Sequence, residues 1–219
     1  MTSTEQPKLI YIAQRHMRYA PGEFTRRWRQ HAALGMSQPR WRNVALYLHC
    51  DRVVGLPPGV PAIDCDGVAI VVYRSEAHRQ AHIAVDEARR KMKADELDTF
   101  AHPVAQTSLL TQEQIMCQAM GEIFRLFVFW TSDSAQFEFA WDAAAIRWRS
   151  SLTRDVGLVR NKPWGAPGEF RCAGIDELTA SHPEPLCELA RRWEQGSQLP
   201  GVANMILTRS VILHDQPQV

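Results

Sequence analysis

Phe24, Trp28 and His31 stand at i, i+4 and i+7 in the stretch Phe24-Thr-Arg-Arg-Trp28-Arg-Gln-His31. On an α-helix that spacing puts all three on one face. Two aromatic rings of this size favour burial, so the imidazole travels inward with them while Arg26, Arg27 and Gln30 fall on other faces. An imidazole with an unperturbed pKa of about 6.5 can move protons near neutral pH. The competing reading is a core histidine satisfied by a backbone carbonyl. Further polar groups lie on the strands that flank this helix. In Asn43–Cys50 a period of two puts Ala45, Tyr47 and His49 on one face and Val44, Leu46 and Leu48 on the other. Tyr11 lies inside the first strand, Arg15 and His16 end it, and His102 precedes the fourth. If the face of Tyr47 and His49 looks toward the helix, a phenol and two imidazoles gather round one cavity. Such a set can take or deliver a proton and hold an enolate or phenolate oxygen. The catalytic candidates are His31, Tyr47 and His49; the substrate-binding candidates are Trp28, Phe24, Tyr11, Arg15, His16 and His102. Against this, Tyr47 could pack at an edge with its hydroxyl in water, and His49 sits near a strand end, where exposure is common.

The elements that must position these residues follow from periodicity and punctuation. Leu9–Ala13 reads as a strand, and Pro21-Gly22 marks the turn into a helix over about Glu23–Leu34. Asn43–Cys50 is a second strand. Asp66-Gly67 is a turn signal before a third, Val68–Tyr73. Ser75 caps a helical stretch, with a break, to about Leu97. Val104–Leu110 is the fourth strand. This β-α-β-β-α-β order is the split βαβ of ferredoxin-like folds. The polar segment Thr111–Met120 reads as a helical linker. The frame then returns about a hundred residues later, too long a period for a solenoid. Phe137 and Trp141 repeat Phe24 and Trp28, with Ala144 where His31 stands, and Asp155-Val-Gly-Leu-Val159 echoes Asn43-Val-Ala-Leu-Tyr47. The second half is expected to run through strands at Ile123–Trp130, Val156–Arg160, Phe170–Ile175 and Asn204–Leu213. The chain therefore divides into repeats over residues 7–115 and 121–214. Four strands make too small a sheet to cover both faces, and strands 1 and 3 are apolar at nearly every position, the mark of two-sided burial. The sheet of the other half is the simplest cover.

Composition narrows the function. The chain has 219 residues, 25 Lys+Arg against 24 Asp+Glu and a net charge of +1, which gives no electrostatic case for nucleic acid or an anionic membrane. No apolar run reaches membrane-spanning length, and Met1–Gln6 lacks the apolar region of a signal peptide. The five cysteines are scattered, odd in number and without metal-ligand spacing, so they read as reduced thiols in the cytoplasm. Dinucleotide, P-loop, His-Glu-x2-His and nucleophile-elbow signatures are missing. His78-x3-His82-x3-Asp86 has a spacing zinc uses, but its surroundings are polar enough to favour a solvated face. The expectation is no metal and no cofactor. Trp141, Trp148 and Trp164 are large enough to fill any pocket in the second half.

The motif Phe24-x3-Trp28-x2-His31 after Arg15-x5-Pro21-Gly22, with Asp66-Gly67-Val-Ala-Ile-Val-Val-Tyr73, resembles the EthD family of the dimeric α+β barrel superfamily over about residues 7–115. The second half resembles the same pattern more weakly, without the histidine or the Asp-Gly turn. The resemblance implies an α+β fold in which two ferredoxin-like repeats pack their antiparallel sheets into one intramolecular barrel. It also implies a pocket between helix and sheet in the first half and a cofactor-free site for small aromatic, quinone-like or polyketide-like substrates. Acid–base chemistry of this kind covers decarboxylation, dehydration and double-bond shifts, so a cofactor-independent lyase or isomerase is expected. Two alternatives stay open, a non-catalytic binder of an aromatic or hydrophobic ligand and a cofactor-free oxygenase. A homodimer is compatible with either.

Overall fold

The computed structural model describes residues 6–53, 55–84, 87–164, 170–194 and 201–216. Eight strands form one closed, wholly antiparallel barrel: β1 (Lys8–Ala13), β2 (Val44–Arg52), β3 (Gly67–Tyr73), β4 (Ser108–Cys117), β5 (Phe124–Thr131), β6 (Val156–Pro163), β7 (Gly174–Ala180) and β8 (Val202–Asp215). Round the barrel the order is β1-β3-β2-β8-β5-β7-β6-β4. The halves thus meet edge to edge at two hydrogen-bonded seams, β2 with β8 and β4 with β6, rather than only face to face. Closure leaves neither half with an open sheet edge.

Period-two alternation sets the layers. Ile10, Ile12, Leu48, Ile70, Phe127, Phe129, Ile175 and Ile206 point into the barrel. Their neighbours Tyr11, Ala13, Tyr47, Ala69 and Val71 point outward beneath the helices. The alternation slips once: a bulge between Val44 and Leu46 leaves Ala45 at the barrel mouth, off the face of Tyr47 and His49.

Helices α1 (Pro21–Met36), α2 (Glu76–Ile83) and α3 (Glu87–Thr99) cover the first half, with a single turn, α4 (Val104–Thr107), before β4; α5 (Phe137–Ser151) and α6 (Glu184–Glu194) cover the second. Pro21 starts α1 and Glu23 reaches back to the Ala20 N–H at 3.0 Å, satisfying one of the free donors of the first turn. Ser75 caps α2. Phe24, Trp28, His31, Ala32 and Gly35 form the buried stripe of α1.

Three expectations need correction. Thr111–Cys117 is not a helical linker but the second part of β4, because its backbone pairs with β6 to close the barrel. Val104–Thr107 is a helical turn, so the fourth strand starts four residues late. The third strand of the second half is Gly174–Ala180 rather than Phe170–Ile175. Its Asp176 and Glu177 are both buried and compensated: Glu177 by Lys8 at 2.7 Å and by Arg125, Asp176 by two indole N–H groups.

Candidate functional site

The face shared by α1, β1, β2 and β3 carries a continuous polar chain inside an apolar shell. Trp28 Nε1 donates to the Tyr11 hydroxyl at 3.2 Å, the hydroxyls of Tyr11 and Tyr47 lie 3.1 Å apart, and His49 Nε2 is 2.5 Å from the Tyr47 oxygen. Arg29 closes the chain by donating to His49 Nδ1 and to Asp51. The Trp28 indole lies flat on the His49 ring, centroids 3.8 Å apart. Gly67 makes this stack possible, since a Cβ there would sit 2.7 Å from the indole.

Counting hydrogens along the chain fixes its chemistry. A guanidinium only donates, so His49 Nδ1 accepts and the ring is neutral, with its hydrogen on Nε2 pointing at Tyr47. Tyr11 accepts from Trp28 and Tyr47 accepts from His49. The two hydroxyls own two hydrogens, and the bond between them uses one. One O–H is therefore left over, and both tyrosines border the same cavity. Burial pushes the Tyr11 hydroxyl up to about 12 and Tyr47 well above its ordinary value, so both stay protonated and serve as donors, not bases. Burial, aided by the Arg29 charge, drives His49 well below the usual imidazole range.

That cavity measures about 110 Å³ and is walled by Leu9, Ala32, Trp41, Val71, Tyr73 and Met92, with His31 and His82 on its border. His31 Nδ1 is 2.7 Å from Asp95 Oδ2, and Arg27 holds the other oxygen of Asp95 at 2.7 Å. Burial lowers the His31 pKa although Asp95 opposes the shift. The ring is then neutral at pH 7 with Nδ1–H donated to the carboxylate, which leaves Nε2 as a lone pair for chemistry. The pairing of a base with an orienting carboxylate resembles the arrangement of general-base histidines elsewhere.

The structure brings His31, Tyr47, Tyr11 and His49 together, and neither Tyr47 nor His49 is exposed. His49 does not border the cavity; it positions Tyr47. Trp28 and Phe24 are fully buried beneath the cavity, stacked 5.6 Å apart; neither lines it, and Trp28 touches the site through Tyr11 and His49. Arg15 is committed to Asp66, His16 caps a turn toward Arg18, and His102 is exposed before α4; none lines the cavity. The histidine pair of α2 divides: His78 is exposed on Ser75, while His82 turns inward against Trp41 and Tyr73 with Nδ1 3.1 Å from the Arg40 carbonyl. Asp86 lies outside the described residues, and no group of three metal-ligating side chains occurs among those that are described. Asp95, Arg29 and Trp41 carry parts of the site that the sequence did not mark, and His82, expected on a solvated face, is buried at the cavity instead. Asp95 meets His31 across 64 positions of chain, and no local spacing signals that.

Register shows what fills the corresponding place in the second half. Gly174 underlies Trp141 as Gly67 underlies Trp28. Opposite Gly67 stands Ala13, but opposite Gly174 stands Trp130. Tyr47 faces Val71, whereas the matching pair is Leu158 and Leu178; His49 faces Ala69, whereas the matching pair is Arg160 and Asp176. Trp130 and Trp141 both donate to Asp176, at 2.7 Å and 2.9 Å, and the Arg160 guanidinium lies 3.8 Å over the Trp141 ring. Trp148 packs beside them, but Trp164 lines a different cleft.

Residues 18–103 match the family model of the EthD domain. No curated protein matches the chain. Among solved structures, an anthrone oxidase-like protein superposes with a TM-score of 0.63 at 10% identity, covering 96% of this chain and 92% of its own. A monooxygenase candidate from Fusobacterium nucleatum gives 0.57 at 12% identity, with 97% and 95% covered, and a variant chlorite dismutase from Candidatus Nitrospira defluvii gives 0.51 at 9%, with 94% and 92% covered. At these identities the likeness is one of fold, and it spans the whole barrel. No helix among the described residues is long and apolar enough to cross a membrane. The family likeness is thus confined to residues 18–103, within the first half, and one polypeptide supplies all eight strands of the barrel.

Proposed function

We propose that the first half is a cofactor-independent lyase or isomerase site for a small phenolic or polyketide-like carbonyl compound. One observation carries this reading: a carboxylate-oriented imidazole and the spare O–H of the Tyr11–Tyr47 pair border one small cavity. His31 Nε2 removes a proton from the carbon beside a carbonyl, and the tyrosine O–H holds the enolate oxygen that forms. In a dehydration His31 returns that proton to the departing β-hydroxyl, so water leaves as the double bond forms and no electrons are exchanged. Each of the two functions is worth roughly 10²–10⁴ in rate. The halves are taken as ferredoxin-like repeats over 7–115 and 121–214, the second kept as scaffold.

The test is His31→Gln assayed against hydroxylated anthrones, phenolic acids and β-hydroxy ketones. A general base predicts a kcat loss of about 10²–10⁴ with the melting temperature near that of the parent. A histidine with a purely structural role predicts full turnover per folded molecule and a stability loss of roughly 1–3 kcal/mol. Cofactor-free oxygenation is the second reading, favoured by the likeness to an anthrone oxidase-like protein; turnover that stops under argon selects it.

A further inference from the structure

Helix α5 is apolar on more sides than the barrel can cover. Phe137, Trp141, Ala144 and Ala145 lie on its buried face. Phe139 and Ile146 point the other way and are 80% and 65% exposed. They stand at i and i+7 with Ala143 between them, so the three make one stripe along the outer face. Apolar residues exposed singly are ordinary on a surface, whereas a contiguous stripe marks a contact.

The first half supplies an internal comparison. Phe24 and Trp28 of α1 match Phe137 and Trp141 of α5. In the same register the outer stripe of α1 is Arg26, Gln30 and Ala33, all exposed. Packing the inner face therefore does not require Phe139 or Ile146. The two helices differ on the face turned to solvent.

Charges flank the stripe of α5 in a set order: Glu138, Asp142, then Arg149 on one side of it. Glu138 holds Lys162 at 2.8 Å but remains 70% exposed. Asp142 is balanced by the fully buried Arg160. Arg149 is exposed and has no ion pair or hydrogen bond among the described residues. An acidic start, an apolar stripe and a basic end are complementary to the same helix reversed. That order selects a second copy of this chain as the occupant.

We propose that α5 is a self-association surface, packing antiparallel on α5 of a second copy across a two-fold axis beside Ala143. Such a contact is isologous, so each pairing occurs twice. Phe139 meets the partner's Ile146, and Glu138 comes within one turn of the partner's Arg149. The small Ala143 lets the two backbones approach at the axis. A helix of 15 residues is about 22 Å long. A pair of that length covers less than a standard stable interface of about 1,600 Å², so the association is micromolar or weaker. The surface lies on the half that lacks the His31 cavity.

Sedimentation velocity tests this. The parent should pass from one chain to two between about 1 µM and 1 mM, the range of weak specific association. Phe139→Arg with Ile146→Ala gives α5 the outer residues of α1. It should keep the protein monomeric throughout that range with the parent's melting temperature, since both side chains are exposed. Glu138→Arg or Arg149→Glu alone should weaken association about tenfold, because each reversal acts at two symmetric contacts, and the two together should restore it. Ala143→Cys, oxidised with diamide, should give a disulfide-linked dimer faster than the parent does. A parent that stays monomeric, a dimer that survives Phe139→Arg with Ile146→Ala, or species larger than two chains overturns the proposal. So do charge reversals that fail to compensate each other, and an Ala143→Cys protein that cross-links no faster than the parent.

Discussion

His49 is fully buried, accepts from Arg29 and donates to Tyr47. Protonation would remove the lone pair that Arg29 uses and place two cations side by side. The folded pKa is therefore depressed well below the ordinary value of 6.5. A depressed pKa contributes stability that is fully present above the unfolded value and is lost as pH falls below it. The slope is about 1.4 kcal/mol per pH unit for one such group, so from pH 6.5 to pH 5 the loss from His49 alone reaches about 2 kcal/mol. Glutamine can still accept from Arg29 and donate to Tyr47, but it does not titrate. At pH 7.5 His49→Gln should be the weaker protein by about 1 kcal/mol, the cost of a poorer hydrogen bond. At pH 5 it should be the more stable one by a similar margin. Urea denaturation at three pH values checks the crossing. Asp176, raised by burial to about 6, pulls both curves the opposite way and cancels in the difference. Parallel curves from pH 7.5 to pH 5 would refute the neutral, Arg29-bonded state of His49 and with it the count that leaves one tyrosine hydrogen over.

Three further outcomes are expected. Asp95→Asn should lower kcat roughly 10²-fold and leave KM nearly unchanged in steady-state kinetics, because it releases His31 from its working orientation without touching the cavity wall. Glu177→Gln should cost about 3 kcal/mol in chemical denaturation, since it leaves Lys8 and Arg125 only their partly exposed partners Glu113 and Glu122; wild-type stability from this group, whose pKa is held down to about 2, should fade only as pH drops from about 4.5 toward 2. Gly67→Ala should cost about 1–3 kcal/mol and change near-ultraviolet circular dichroism, because its Cβ would meet both the Trp28 ring and the Cys50 carbonyl at 2.7 Å.

Helical spacing made the buried stripe of α1 legible, and strand alternation placed Tyr47 and His49 on one face, because both patterns are local and burial enforces them. Other features are set by partners distant in sequence. Thr111–Gln114 looks polar enough for a linker, yet strand pairing with Arg160–Pro163 extends β4 through it. Asp176 and Glu177 look like surface residues until the indoles and cations that meet them are known. His82 sits in a polar segment, but Trp41 and Tyr73 draw it inward. Asp95 was hidden for the same reason: a carboxylate on a highly charged helix carries no mark of the one imidazole it holds.

The two seams between β2 and β8 and between β4 and β6 also set how this barrel can change. In a barrel assembled from two identical subunits every substitution is made twice, so a ring large enough to stiffen one side blocks the cavity on the other. Here the positions are written separately. Ala13 can remain small above Gly67 while Trp130 fills the matching place above Gly174, and Tyr47 can keep its hydroxyl while Leu158 carries none. One side is thereby free to become dense and inert, and the other can keep an opening that a symmetric pair would have to keep in duplicate.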